Sequence, residues 1–262
     1  MRALNIAATG MAAQETNVDV ISNNIANMNT IGYKRQEANF EDLLYEDIKR
    51  PGAQSSDTGT VIPTGIQIGA GVSTAAVYRI TTQGTLTNTG NQLDLAVNGS
   101  GYFQVLLPSG ETAYTRAGNF SLNDTGVLVT SDGYTVLPQT TIPQTATSVT
   151  VSSSGQIQVT LPGQTATSQV GQLQLATFAN APGLQAMGSN LFLVSGASGQ
   201  PVTGTPNASG FGSIKQGWTE ASNVDSVTEI SNLIIAQRAY EMNSKVITTA
   251  DQMLQSTNTM KS

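Results

Sequence analysis

The residue types that most often carry chemistry are missing or isolated in this 262-residue chain. It has no histidine and no cysteine, which removes imidazole bases, thiolate nucleophiles, disulfides and the usual nitrogen and sulfur metal ligands at once. Carboxylates remain. Asp94, Asp124 and Asp132 are candidates for the acid and base of a glycoside hydrolysis, but Asp124 and Asp132 stand in Asn123-Asp124-Thr125-Gly126 and Ser131-Asp132-Gly133, the sequences of ordinary turns. The segment Gly65 to Gly71 has the glycines of a phosphate loop without the following Lys-Ser/Thr or the strand and helix such a loop connects, and reads as part of a flexible arm. Asn-x-Ser/Thr tripeptides begin at Asn98, Asn119, Asn123 and Asn207, as chance supplies in a chain so rich in these residues. The expectation is a protein with no catalytic site, no cofactor and no metal.

The spacing that does stand out is apolar. Leu4, Met11, Val18 and Ile25 recur every seven residues near the N-terminus, beside a second row of Ala7, Gln14, Ile21 and Met28. Leu233, Tyr240, Ile247 and Leu254 repeat the period near the C-terminus, with Ala236 and Ala250 between them. The pattern predicts one helix from about residue 3 to Met28, stopped by Asn29-Thr30-Ile31-Gly32 with Gly32 in a left-handed C-terminal cap. A second begins at the capping box Ser226-Val227-Thr228-Glu229 and runs to about Ser256 without Gly or Pro. At 1.5 Å per residue the first is a rod on the order of 40 Å long. Ile230, Ile234, Val246 and Met253 flank the main seam of the second helix, an apolar surplus that a single helix pair cannot bury and that predicts contacts with other copies of the chain.

Between the rods the chain is β-patterned. Residues 33–50 are the most charged part, around Phe40, Leu43, Leu44 and Ile48, and read as a short helix ended by Pro51-Gly52. Residues 51–72 read as an extended arm whose alternating Val61, Ile66, Ile68 and Val72 indicate that it lies against something. From about Val77 to Gly212 short alternating runs are separated by turns: strands are expected at Tyr102–Leu107, Phe120–Leu122, Val127–Thr130, Val149–Val151, Gln156–Leu161, Gln172–Phe178 and Leu191–Val194. The expected fold class is α+β, with long N- and C-terminal helices forming a coiled-coil module, a central mainly antiparallel β domain closed as a barrel or a sandwich, and the extended arm. The expected division is 1–32 with 225–262 as the helical module, 33–76 with 213–224 as connecting segment, and 77–212 as the outer β-rich domain. Trp218, the only tryptophan, sits where the β-rich part rejoins the helical end, either as a packing anchor between modules or as a contact with a neighbouring subunit.

Composition bounds the partners. Only 11% of the residues are charged, against roughly 25% in an average soluble domain. Between Arg116 and Lys215 there is no Lys or Arg, and the only acids are Asp124 and Asp132. A surface solvated by hydroxyls and amides barely repels copies of itself, so close stacking of identical subunits carries little electrostatic penalty. A net charge of −6 with no basic stripe argues against nucleic acid. No run of about 18 apolar residues is present, so no membrane insertion is expected. Gln14, Glu15, Asn17 and Asp19 interrupt the apolar core that a cleavable secretory signal requires.

Four stretches carry a resemblance. Ser22 to Arg35 reads SNNIANMNTIGYKR, Asn98 to Val105 reads NGSGYFQV, Tyr114 to Gly126 reads YTRAGNFSLNDTG, and Gln237 to Gln255 reads QRAYEMNSKVITTADQMLQ. They closely resemble the bacterial flagellar rod and hook proteins, over nearly the whole chain, and the arm at 51–72 is similar to a segment typical of the distal-rod branch and absent from the hook branch. The resemblance implies export through the flagellum's own type III apparatus and polymerisation into a hollow helical drive shaft that crosses the periplasm. Its implied partners are other copies of itself, proximal rod and hook proteins, and the surrounding peptidoglycan and outer-membrane rings. It implies that the terminal helices form the inner layer and that the arm, with Pro51, Ile62, Ile66 and Ile68, locks neighbouring subunits. Another axial protein, a proximal rod or hook subunit, is the alternative within the family. A secreted carbohydrate-active or adhesive β-domain is the alternative outside it.

Overall fold

The computed structural model of the chain describes residues 2–50, 64–163 and 166–261. They form two compact units, one drawn from residues 2–25, 36–50, 64–78 and 226–261 and the other from residues 26–35, 79–163 and 166–225.

The first unit contains most of helix α1, Arg2–Ala26, and helix α2, Ser226–Lys261. Both lie where the seven-residue spacing predicts them. Helix α1 ends two residues before Met28, and residues 27–32 form turns. Gly32 does take the left-handed conformation, with φ +71°, but at the end of those turns rather than as the cap of α1. Residues 33–50 are not helical. They hold the strands Gln36–Asp42 and Tyr45–Lys49, the first paired with Val72–Arg79 and the second antiparallel to Ile66–Gly69. The chain returning after residue 63 brings two strand partners to a segment whose own pattern is neutral, and pairing between strands outweighs local propensity. Leu43 N–H to Gly71 O at 2.9 Å and Ala70 N–H to Leu44 O at 3.0 Å fasten the crossing between the two pairs. Val61, Ile62 and Pro51 lie outside the described residues, so the structure describes the arm only from residue 64 onward.

The second unit is β-rich and antiparallel at every pairing for which a register is defined. Its main path runs Gln185–Gly188, Leu191–Leu193, Thr112–Thr115, Tyr102–Leu106, Thr135–Leu137, Leu128–Val129, Ser121–Leu122. The path is open, and among the described residues no barrel closes. Strands of only two to five residues explain this, since each bends away at a Gly- or Asn-containing turn before it can carry the sheet around. A separate three-stranded sheet, Ser148–Val151, Gln156–Thr160 and Ser168–Gln172, contributes Ile157 and Val159 to the same core as Phe103, Val136, Leu175 and Ile214. Phe103 and Phe120 meet edge to face at 5.1 Å between centroids in that core.

Candidate functional site

The carboxylates that might have done chemistry are engaged or dispersed. Asp94 is buried and accepts from Thr89 Oγ1 at 2.6 Å and Asn91 Nδ2 at 3.0 Å, so it organises its own loop. Asp124 and Asp132 sit in exposed turns. No group of acidic side chains among the described residues is arranged to hold a metal ion.

The helix pair is where the residues converge. Asn24 of α1 donates from Nδ2 to Glu229 Oε2 of α2 at 3.2 Å. Two heptads earlier on α1 and two heptads later on α2, a Cβ placed on Gly10 would stand 2.8 Å from Asn243 Nδ2. The helices are therefore antiparallel in a fixed register, which also sets Asn17 opposite Ala236 and Ala3 opposite Ala250. Small or polar side chains occupy this row on both helices, because only they allow two backbones to approach closely at every second turn. Asn24 does further work at the end of the row. Its amide accepts from Gln36 N–H at 2.9 Å and donates to Gln36 O at 2.8 Å, tying the first strand to α1. At the other end Thr9 Oγ1 accepts from Val72 N–H at 3.4 Å, and Arg2 pairs with Glu46 at 2.5 Å.

This arrangement redistributes the residues expected at the seam. Ile21 is buried; Leu4, Met11, Val18, Ile25, Leu233 and Ile247 are half-buried. Met28, Tyr240 and Leu254 are exposed at 41%, 45% and 42%. The flanking residues are more exposed still: Ile230 50%, Ile234 54%, Val246 46% and Met253 61%. Ile235 and Met242, exposed as well, lie on the side of α2 that carries Val246 and Met253. Met242, Val246 and Met253 line an apolar groove of about 450 Å³ floored by Ala3 and Ala250. On the strand Ile66–Gly69, in the described part of the arm, Ile66 and Ile68 are exposed. Trp218 is half-buried on the strand Trp218–Glu220, with the Lys215 ammonium 5.3 Å from its ring centre.

One cluster was missed by sequence reasoning. In the second unit Glu220 is fully buried, and its carboxylate pairs with Lys34 Nζ at 2.5 Å and Arg116 Nε at 2.9 Å, themselves 3% and 5% exposed. Gly84 N–H donates to the same carboxylate at 3.0 Å. Gly32 N–H donates to the Glu220 carbonyl at 2.8 Å, and Asn223 binds Arg35 N–H, Ile80 O and Thr82 O. Three separate passages of chain, around Lys34, Thr82 and Arg116, are tied to Glu220 and Asn223. Burial holds the Lys34 ammonium below its usual pKa; Glu220 opposes the shift, and Arg116 adds to it. Burial likewise raises the Tyr102 phenol beside Arg116. The signal available in the sequence was isolation: Arg116 is the only basic residue between Arg79 and Lys215. A lone guanidinium in so neutral a stretch requires a carboxylate partner if it is buried.

Comparison with known proteins covers the same segments. Residues 4–34 match the family of flagella basal body rod proteins, residues 96–159 the D1 domain of the flagellar hook proteins FlgE/F/G, and residues 215–260 the C-terminal segment of the flagellar basal body rod proteins FlgEFG. The chain is 62% identical to the flagellar basal-body rod protein FlgG of Caulobacter vibrioides over 262 residues, all of both chains. It is 40% identical to FlgG of Bacillus subtilis, covering 97% of each chain. Against the basal-body rod protein FlgF of Caulobacter vibrioides the identity is 35%, over 93% of this chain and 92% of the other.

Proposed function

The chain belongs to the FlgG family of flagellar basal-body rod proteins, and from that membership we propose the following account of its work as a structural, non-enzymatic subunit of the flagellar distal rod. Copies polymerise into a hollow helical drive shaft that passes motor torque to the hook. Helices α1 and α2 form its inner coiled-coil layer, and the β-rich unit faces outward toward the peptidoglycan and outer-membrane rings. Proximal rod and hook proteins meet its two ends. The subunit leaves the cytosol through the flagellar export apparatus and spans the periplasm as part of the rod. The arm at 51–72 locks one subunit to the next, and Trp218 anchors the junction between modules.

One observation carries the assembly reading. Helix α2 spends its small residues on α1 and leaves Ile230, Ile234, Val246 and Met253 on the surface. An isolated chain gains nothing from aliphatics placed there, whereas each contributes about 1.5–3 kcal/mol when buried by a neighbour. The weakly charged outer unit, with no cation from residue 117 to residue 214, adds little repulsion between stacked copies. The test is electron cryo-microscopy of isolated basal bodies. The α2 faces of adjacent copies are expected in contact around the central channel, and a rod with its β-rich units innermost would overturn the reading.

A further inference from the structure

The charges around Glu220 do not balance. Lys34 and Arg116 bring two positive charges to one carboxylate, with all three groups almost entirely out of water. A surplus charge in such surroundings is costly unless a counter-ion shares the site or the amine gives up its proton, and the lowered pKa of Lys34 reflects that cost. The donors are in surplus as well. Lys34 has three ammonium hydrogens and two acceptors, Glu220 and Thr82 O. Arg116 has five guanidinium hydrogens and four acceptors, Glu220 and the carbonyls of Gly99, Gly101 and Val97, the last at a long 3.5 Å. Both cations line one cleft of about 310 Å³ in the second unit. Its rim is polar, with Thr81, Ser100 and Thr177, and Tyr102 and Phe178 form an apolar wall.

We infer that this cleft is a carboxylate-binding site, which Lys34 and Arg116 hold open for one negative charge beyond Glu220. A monoanion restores neutrality where a phosphate dianion would reverse the imbalance. The planar head of a carboxylate can take one hydrogen from each cation, with its aliphatic body against Tyr102 and Phe178. The carboxylate is either an Asp or Glu side chain of a second copy or a small free acid. The site itself does not depend on the assembly reading.

The full-length chain is melted in increasing sodium acetate and, at matched ionic strength, in sodium chloride. Acetate is expected to raise the melting temperature saturably, by roughly 3–6 °C above chloride. Lys34→Met leaves Arg116 and Glu220 balanced and is expected to lose the acetate response. Thr81→Glu supplies a carboxylate from the rim without touching any bond of the triad; it is expected to melt higher than the parent and to ignore acetate. Equal curves in acetate and chloride, or an undiminished acetate response in Thr81→Glu, overturns the inference; should Lys34→Met fail to fold, Thr81→Glu decides alone. At concentrations where the chain self-associates, acetate that retards association assigns the carboxylate to a neighbouring copy, and acetate that leaves it unchanged assigns it to a free solute.

Discussion

The two units bury their surfaces in opposite ways. In the β-rich unit the large apolar side chains meet one another, with Phe103, Val97 and Leu175 wholly out of water, and even the charges are drawn inside around Glu220. In the helical unit α1 meets α2 through Gly10 against Asn243 and Asn24 against Glu229, while isoleucines and methionines of α2 face solvent. At about 25 cal/mol per Å² of apolar surface, the β-rich unit realises its hydrophobic stabilisation within one chain. The helical unit leaves much of it for contacts outside the chain. A finished domain and an unfinished one have thus been built into the same polypeptide, and the unfinished one is where assembly acts.

The largest effect expected from breaking this contrast is at Glu220. Glu220→Ala leaves two buried cations without their carboxylate, which should destabilise the β-rich unit by about 3–5 kcal/mol. Denaturant unfolding can separate the units, because Trp218 is the only tryptophan and lies in the β-rich unit, whereas α1 and α2 dominate the helical circular dichroism. The tryptophan transition should move to lower denaturant while the helical signal keeps its midpoint. A variant that unfolds like the parent would show that the triad is no strut.

The contrast also explains what was legible in the sequence. Both helices announce themselves through the seven-residue apolar period, and most strands through their turns. The intramolecular seam is only partly legible: the rows that name Ala7, Ile21 and Ala236 pick out residues that are buried, whereas apolar periodicity gives no sign of the passage of Gly10 against Asn243 or of Asn24 against Glu229. Small residues carry no hydropathy signal, and their role appears only when a second backbone lies beside them. Glu229, which the capping box places in the first turn of α2, is also fully buried and accepts from Asn24, 205 residues away in sequence, a contact no local pattern reveals. The pairs at Glu220 are hidden for the same reason, with separations of 186 residues to Lys34 and 104 to Arg116. Residues 33–50 show no helix because their strand partners, Ile66–Gly69 and Val72–Arg79, lie later in the chain and leave no mark on the local pattern.

A smaller effect sharpens the seam itself. Gly10→Ala adds helix propensity worth up to about 1 kcal/mol, but its Cβ would stand 2.8 Å from Asn243 Nδ2. In the parent the two effects should nearly cancel. In an Asn243→Ala background the obstruction is gone, and Gly10→Ala should then stabilise the helical unit by about 1 kcal/mol. The double-mutant cycle should therefore show a coupling of at least about 0.5 kcal/mol. Additive changes would mean that the two positions are not opposed and that the register is wrong.

The smallest effect on stability is expected where the effect on assembly is greatest. Replacing Ile230, Ile234, Val246 and Met253 together by serine removes side chains that are already about half or more exposed in the single chain. Each change should cost no more than about 0.5 kcal/mol in the monomer, and serine differs little from isoleucine or valine in helix propensity. Melting and helical signal should stay close to those of the parent. In a polymer each of these residues contributes about 1.5–3 kcal/mol once buried, and every 1.4 kcal/mol is tenfold in association. Sedimentation should find the variant monomeric at concentrations where the parent assembles, and cells carrying it should build no rod beyond the point at which this subunit is added. If the variant instead melts far below the parent, the face is buried within the chain. If it assembles normally, the α2 surface is not the interface, and the contrast between a closed unit and an open one loses its functional meaning.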